Sequence, residues 1–545
     1  MHAPMHCTER HVADVMIANP ILNSPFVEPS RHFQFTDDGI TNEVIEARRV
    51  SSYFVPIPRE KKRGQQMAFD TEWTNDRIKE NDFINRVRAR VELWRKGGYI
   101  GITPTTRQLL DYWRDPERER KLFFCQIEAV ETAIYLAEVA AKYGDQWIEN
   151  DLKQFNADAN PLLFRVAFKM ATGSGKTVVM AMLIAWQALN KLANRQDARF
   201  SDTFLIVSPG ITIRDRLRVL LPNEPDNYYR ERDVLPAAQI AQLQQATIVI
   251  TNFHAFKMRK KGDVPPLTEK ILTGGKPGAF IESGPEMVRR VCREMGNKKN
   301  IIVINDEAHH CYRRKPADEE EKLAGEDRQE AEQREEEARV WITGLEEVRK
   351  KMGMRAVYDL SATPFFLRGS GYEEGTLFPW VVSDFSLIDA IESGIVKVPR
   401  VPVGDNAVRE HGPVNRNLWL YVRDDLPKKG RKTDALGGRP KLPDELAGAL
   451  HSLYGHYKKT YDQWPADEGA RARGETPPVF IVVCNNTNVS KLVYDYIAGY
   501  EHVMDDVMVR VPGELAAFSN MDGDRWLSRP NTILVDSEQL ERITV

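Results

Sequence analysis

Long apolar runs are missing from this chain: none approaches the roughly 18 residues of a membrane span, so no transmembrane helix is expected. The first dozen residues carry charges and lack the apolar core of a secretory signal. Cysteine is sparse. Cys7, Cys125, Cys292, Cys311 and Cys484 are scattered with no C-x-x-C pair, which argues against a disulfide framework or zinc ribbon and fits a cytoplasmic, reducing setting. His309, His310 and Cys311 are adjacent, and chain neighbours rarely point at one ion, so they are not read as metal ligands. A dominant charge is lacking too. The 76 Lys+Arg against 79 Asp+Glu leave −3, so any nucleic-acid binding must come from local patches. No internal repeat of solenoid length is present. At 545 residues the chain is too long for one core, and three or so domains are expected.

What is there is an α/β pattern. From Thr106 to Ser383, short strand-like runs (Leu162–Phe168, Phe204–Val207, Thr247–Thr251, Ile301–Ile304, Ala356–Leu360) alternate with helical segments. Such alternation implies a doubly wound parallel sheet with helices on both faces and a ligand crevice at the strand C-terminal ends. Before it, residues 1–105 read as a mixed extension. It holds an extended stretch (Ser51–Pro58), a basic run (Arg59–Arg63) and a helix over Asp76–Arg95, stopped by Gly97-Gly98. Arg86, Arg88, Arg90 and Arg95 are read as solvated, with phosphate contact as the alternative. The Glu-dense stretch from Asp318 to Glu337 reads as an exposed helix that docks through Val340, Trp341, Leu345 and Val348. After Ser383 come a basic loop (424–443), helices near Leu446–Gln463 and Ser490–Ile497, and strands at Val479–Val483 and Asn531–Val535. These predict the start of a second α/β unit.

The chemistry-bearing residues fall at the strand ends. Met170-Ala171-Thr172-Gly173-Ser174-Gly175-Lys176-Thr177 lies between an apolar strand and an apolar helix, the order of a nucleotide-phosphate cradle. Glycines let successive N–H groups face phosphate oxygens, Lys176 would reach the β/γ-phosphates, and the Thr177 hydroxyl would ligate Mg²⁺. Met170 stands where the strict pattern has glycine. The Ile301–Ile304 strand runs into Asn305-Asp306-Glu307-Ala308-His309. Two carboxylates at a buried strand tip need an electrostatic reason, which Mg²⁺ supplies: Asp306 would hold the metal and Glu307 would deprotonate the attacking water. Ser361-Ala362-Thr363 follows another strand and can hydrogen-bond toward that loop. Gln126, opening a helix, offers a donor and an acceptor to adenine.

In this order the stretches resemble the superfamily 2 DEAD/DEAH-box helicase and translocase motor, and their wording is most similar to the motor subunit of type III-like restriction endonucleases. The resemblance spans roughly Leu122 to Ser537. It implies a RecA-like lobe over residues 106–383 and an incomplete second RecA-like lobe over 384–545. It makes Gln126 the adenine-reading glutamine, and Thr172, Gly173, Ser174, Gly175, Lys176 and Thr177 the ATP·Mg²⁺ loop. Lys176, Asp306 and Glu307 become the catalytic groups, with His309, Ser361 and Thr363 as coupling residues. Val207-Ser208-Pro209-Gly210, Ile250-Thr251-Asn252-Phe253 and Val482-Val483-Cys484-Asn485-Asn486 are similar to motifs that touch the nucleic-acid backbone, which implicates Pro209, Thr251, Asn252 and Asn485. The implied partners are double-stranded DNA and a modification or specificity subunit. The family's motifs V and VI are not found between Val483 and Val545. The chain therefore reads as an N-terminal fragment whose hydrolysis is impaired, awaiting a polypeptide that supplies the remaining lobe. Glu60-Lys61-Lys62 and Glu320-Glu321-Lys322 are chance resemblances to nuclease patterns, and no nuclease site is assigned. A non-catalytic ATP- or DNA-binding module and an RNA helicase remain the alternative functions.

Overall fold

The computed structural model describes residues 17, 19–36, 39–54, 78–259, 281–315, 326–367, 369–398, 408–409, 412–413, 418–427, 442–472, 474, 476–504 and 507–535. The basic run Arg59–Arg63, both Glu-x-Lys patterns, most of the 424–443 loop and the start of the Glu-dense stretch lie outside them. The chain divides into two compact units, Met1–Val398 and Pro399–Val545.

The larger unit opens with two antiparallel ribbons: β1 (His32–Thr36) with β2 (Gly39–Ile45), and β3 (Ser52–Phe54) with β4 (Ile78–Glu80). Helices α1 (Asp82–Lys96), α2 (Pro104–Arg114), α3 (Phe124–Ile134) and α4 (Gln146–Ala159) follow. Ile78, predicted to start the first helix, instead pairs with Phe54, and the helix begins at Asp82. Thr103 caps α2 by accepting from the Thr106 N–H, and Pro104 occupies its first turn, where no N–H is needed.

Five strands stand where the apolar runs predicted them: β5 (Arg165–Met170), β6 (Thr203–Ser208), β7 (Thr247–Asn252), β8 (Ile301–Asp306) and β9 (Met354–Ser361). A sixth, β10 (Val381–Phe385), was not predicted. They form one sheet in the order β10-β5-β9-β8-β6-β7, with every neighbouring pair parallel, the RecA-like α/β arrangement. The intervening helices are α5 (Lys176–Ala193), α6 (Ile211–Arg216), α7 (Tyr228–Glu231), α8 (Ala237–Leu243), α9 (Gly284–Val291) and α10 (Glu326–Met352), and α11 (Leu387–Glu392) follows the last strand.

Alternate residues of one strand feed two different cores. Phe204, Ile206, Ile302 and Ile304 pack with α1–α3 and α5 on one face. Leu205, Val207, Ile301 and Val303 pack with α9 and α10 on the other. Because side chains alternate and both faces are covered, these strands read as unbroken apolar runs. Helix α5 is buried from Val178 to Asn190, which is why it is apolar on all sides. The docking half of α10 matches its pattern: Trp341, Leu345 and Val348 are fully buried. Among the described residues no helix is long and apolar enough to cross a membrane.

The expectation of solvated arginines on α1 holds for Arg86, which is exposed, and is corrected for Arg88, Arg90 and Arg95. Arg95 pairs with Glu28 (2.9 Å) and Glu131 (2.8 Å). Arg88 donates to the Arg49 and Asp384 carbonyls, Arg90 pairs with Asp145, and Arg86 lies 3.8 Å from the Trp147 ring centre. Their partners lie in other elements of the unit, so helical spacing alone could not reveal them. The same network straps residues before β3 onto the sheet domain. Arg48 bonds Glu128 of α3 through both terminal nitrogens (2.7 and 2.6 Å) and Glu28 at 2.8 Å, while Arg49 meets Glu392 at 2.5 Å.

The smaller unit has α12 (Leu418–Val422), α13 (Asp444–Gln463), α14 (Glu468–Ala472) and α15 (Thr487–Ala498), with a core of Leu450, Val489, Val493, Ile497, Leu515 and Phe518. Neither strand predicted here forms. Val479, Ile481 and Val483 are 74%, 77% and 90% exposed, and Ile533 and Val535 are 74% and 65% exposed. An apolar run becomes a strand only beside a partner with free backbone groups. Among the described residues the strands of this unit form two-stranded antiparallel ribbons, and neither apolar run pairs with their edges.

Candidate functional site

In a parallel sheet all strand C-termini share one rim, and the predicted residues of the larger unit gather there. β5 ends at Met170, and the following loop turns sharply into α5 through Gly173 (φ +86°) and Gly175 (φ +87°). Both glycines occupy the left-handed region that a side chain resists. A methyl group at Gly175 would also sit 2.2 Å from the Gln126 amide nitrogen. The Ser174 hydroxyl donates to the Ala171 carbonyl at 2.6 Å, closing the loop on itself.

Gln126 sits in the first turn of α3 and is 5% exposed. Its Oε1 accepts from the Phe123 N–H (3.0 Å) and its Nε2 donates to the Ser174 carbonyl (3.0 Å). It therefore braces the glycine loop while keeping one N–H and one lone pair for a ligand. Gln126, Gly173, Gly175 and Thr177 line a cavity of about 820 Å³, and Thr172 of the same loop is exposed.

Lys176, the first residue of α5, places its ammonium 3.3 Å from Glu307 Oε1. Strands β5 and β8 are separated by β9, so this contact joins two sequence motifs 131 positions apart across the rim. Asp306 is 8% exposed. Burial, and then the neighbouring Glu307, push its pKa up to about 6 against the pull of Lys176 and Arg216. A strand-tip carboxylate held this way gains from a cation. Glu307 itself has φ +49°, a left-handed conformation rare for a side-chain-bearing residue. His309 Nδ1 lies 2.9 Å from Ser361 Oγ, and Ser361 Oγ accepts from the Thr363 N–H at 3.1 Å. Burial, His310 and Lys176 lower the His309 pKa to about 3, so the ring is neutral at ordinary pH. The carboxylate loop after β8 is thus bonded to the hydroxyl loop after β9.

Pro209 follows β6, and Thr251 and Asn252 end β7, on the same rim. Asn252 is 8% exposed and uses its side-chain oxygen to accept from the Ala255 N–H (3.2 Å). Asn485 belongs to the smaller unit, just before the Asn486 cap of α15.

Behind the rim lies a buried polar cluster that sequence reasoning missed. Asp359 accepts from Arg165 Nε (2.7 Å), Asn305 Nδ2 (2.8 Å) and Trp380 Nε1 (3.0 Å). Asn305 Oδ1 accepts from Trp341 Nε1 of α10 (3.2 Å), and the Trp341 ring stacks on Phe253, which directly follows β7. The available signal was a charged residue inside an apolar strand run, Arg165. Lys169 carries the same signal and pairs with Asp384 of β10 at 2.6 Å.

The donor set suits a hard cation. Thr177 and Asp306 offer oxygen ligands near a phosphate-type loop, as Mg²⁺ requires when phosphates and water fill its remaining positions. Among the described residues there is no cluster of three or more His, Cys, Asp or Glu side chains that would cage a metal without such help.

The parallel sheet and its rim define a RecA-like α/β domain. Residues 121–366 match the family model described as the res subunit of type III restriction enzymes. That stretch of the chain is similar to such a subunit. No curated protein matches the chain.

Proposed function

We propose that the chain is an ATP-dependent DNA translocase or helicase motor of a restriction system, working in the cytoplasm. The Lys176–Glu307 contact carries the reading. It brings the ammonium that would bind phosphate and the carboxylate that would activate water to one rim, beside the Asp306 carboxylate. ATP phosphates would lie against the N–H groups of Gly173–Thr177 with Lys176 on the β/γ-phosphates. Thr177 and Asp306 would hold Mg²⁺, which neutralises phosphate charge when bound. Glu307 would orient the attacking water and take its proton at a carboxylate oxygen. Ser361 and Thr363, joined to the acidic loop through His309, would pass the nucleotide state onward. Pro209, Thr251, Asn252 and Asn485 would contact the backbone of double-stranded DNA, which needs no base reading. A modification or specificity subunit would supply the recognition of a site.

ATP binding and hydrolysis, measured on the full chain with and without duplex DNA, test this. Lys176→Ala is expected to abolish ATP binding. Glu307→Gln is expected to bind ATP and not turn it over. Undiminished binding by Lys176→Ala would remove the basis of the reading. Stimulation by single-stranded RNA and not by duplex DNA would move the assignment to an RNA helicase.

A further inference from the structure

Gly173 is touched by a residue from far along the chain. After β10 the chain passes the glycine loop, where the Ala171 N–H donates to the Phe385 carbonyl (3.0 Å), and turns through α11. A methyl group on Gly173 would meet Val396 Cγ2 at 3.3 Å. Among the described residues no other heavy atom lies within 4 Å of that point, chain neighbours of Gly173 apart. The cavity that Gly173 helps to line takes part of its wall from Tyr228 of α7, but Val396 forms no part of the lining. We propose that Val396 is a positioning residue of the nucleotide site, bracing Gly173 from outside the cavity and so holding the loop ready for phosphate. This rests on the nucleotide reading and adds a residue that sets affinity without touching the ligand.

The brace is itself fixed. At the start of α11 the Ser386 hydroxyl accepts from the Asp389 N–H (3.2 Å) and the Asp389 carboxylate accepts from the Ser386 N–H (2.9 Å), a reciprocal cap. At its end Gly394 takes φ +68°, and the Ile395 N–H turns back to the Ala390 carbonyl (2.9 Å), a glycine-terminated helix stop. The Val396 N–H shares the same carbonyl (3.2 Å), so the backbone carrying the side chain has little freedom. The N-terminal segment adds a second hold. The Leu22 and Asn23 N–H groups donate to the Glu392 carbonyl (2.8 and 3.0 Å), while the Glu392 carboxylate accepts from Arg49 (2.5 Å) and from the Phe33 N–H (3.1 Å). Val396 is half-buried and packs against the core that also holds α5. A neighbour of this kind matters at Gly173. Glycine loses more conformational freedom on being fixed than any other residue, and at φ +86° its N–H would face a phosphate only while that conformation persists. A loop ordered before its ligand arrives binds more tightly than one that must be ordered on binding.

ATP titration and hydrogen exchange on the full chain test the proposal. In the wild type ATP is expected to slow exchange in the peptide spanning residues 387–398, because ordering the loop and seating Val396 favour each other. Val396→Ala is expected to weaken ATP about fivefold and to lose that protection, with the loss appearing in KM more than in kcat. Val396→Ile keeps the methyl that meets Gly173 and is expected to retain wild-type affinity. A side chain that only fills space would lower the Tm when truncated and leave ATP affinity and the ATP-dependent protection as they were. Unchanged ATP affinity in Val396→Ala, or protection of 387–398 that survives in it, therefore overturns the brace alone. Wild-type protein that binds ATP without protecting 387–398 overturns it as well, whether or not the alanine variant folds. Absence of ATP binding by the wild type, with Lys176→Ala no different, overturns the nucleotide reading and this inference with it.

Discussion

Asp359→Ala is the sharpest test of the buried cluster behind the rim. Arg165 and Asp359 have side chains 0% and 1% exposed, and they meet at 2.7 Å. Removing the carboxylate leaves a guanidinium in the core with no counter-charge. Its other bonds, Nη1 to Asn160 Oδ1 (3.1 Å) and to the Cys311 carbonyl (2.7 Å), are to neutral groups. Its Nη2 already lacks a hydrogen-bond partner, so no spare bond is ready to absorb the loss. Breaking one side of such a pair costs about 3–5 kcal/mol, whereas replacing both sides by apolar groups of similar volume is often neutral. The single variant should therefore be destabilised by about 3–5 kcal/mol, and Arg165→Met combined with Asp359→Leu should recover most of that loss. Guanidinium unfolding followed by tryptophan fluorescence reads both, since Trp380 donates to the same carboxylate. A single variant within about 1 kcal/mol of wild type, or a double variant as damaged as the sum of the singles, would refute the argument.

Two further outcomes follow from the geometry. Burial alone would raise the Glu128 pKa, but Arg48, Arg88 and Arg95 hold it down at about 2, below its ordinary value of 4.5. The folded carboxylate is thus more acidic than the unfolded one. Its stabilisation is complete above pH 4.5 and is lost as pH falls toward 2, so the stability gap between wild type and Glu128→Gln should close across that window in acid unfolding. A gap that stays constant from pH 6 to 2 would contradict it. Trp341→Phe keeps the stack on Phe253 and strips the donor from Asn305, a loss of about 1–3 kcal/mol for a buried acceptor. Because Asn305 precedes Asp306, ATP turnover should fall at unchanged ATP affinity; steady-state kinetics that show the reverse split would count against this coupling.

Much of the larger unit was legible in the sequence because both of its faces are covered. Five of the six strands announced themselves as mainly apolar runs, and the glycine loop and acidic pair were placed at their tips. The sixth strand, β10, carries Asp384 next to its last residue. That carboxylate is matched by Lys169 and by the Ser51 hydroxyl (2.6 Å), neither of which is near it in the chain. The reading of Arg88, Arg90 and Arg95 on α1 failed for the same reason: a charge reads as solvated until its remote partner is known. The cavity wall at Tyr228 was invisible because a four-residue helix carries no periodicity. Val479–Val483 misled in the opposite direction, since its composition fits a buried strand but no described neighbour pairs with it.

The strap formed by Arg48, Arg49 and Arg95 bears on how the protein can be dissected. A recombinant piece starting at residue 106 would keep Glu128 and Glu392 while discarding the arginines that pair with them, and would leave Glu131 with Arg114 alone. Two acids, each less than a tenth exposed, would then be left buried without those counter-charges, one of them on the helix that braces the glycine loop. Glu28, Arg48, Arg49 and Arg95 are thus part of the scaffold around the glycine loop, and expression trials should begin upstream of Glu28.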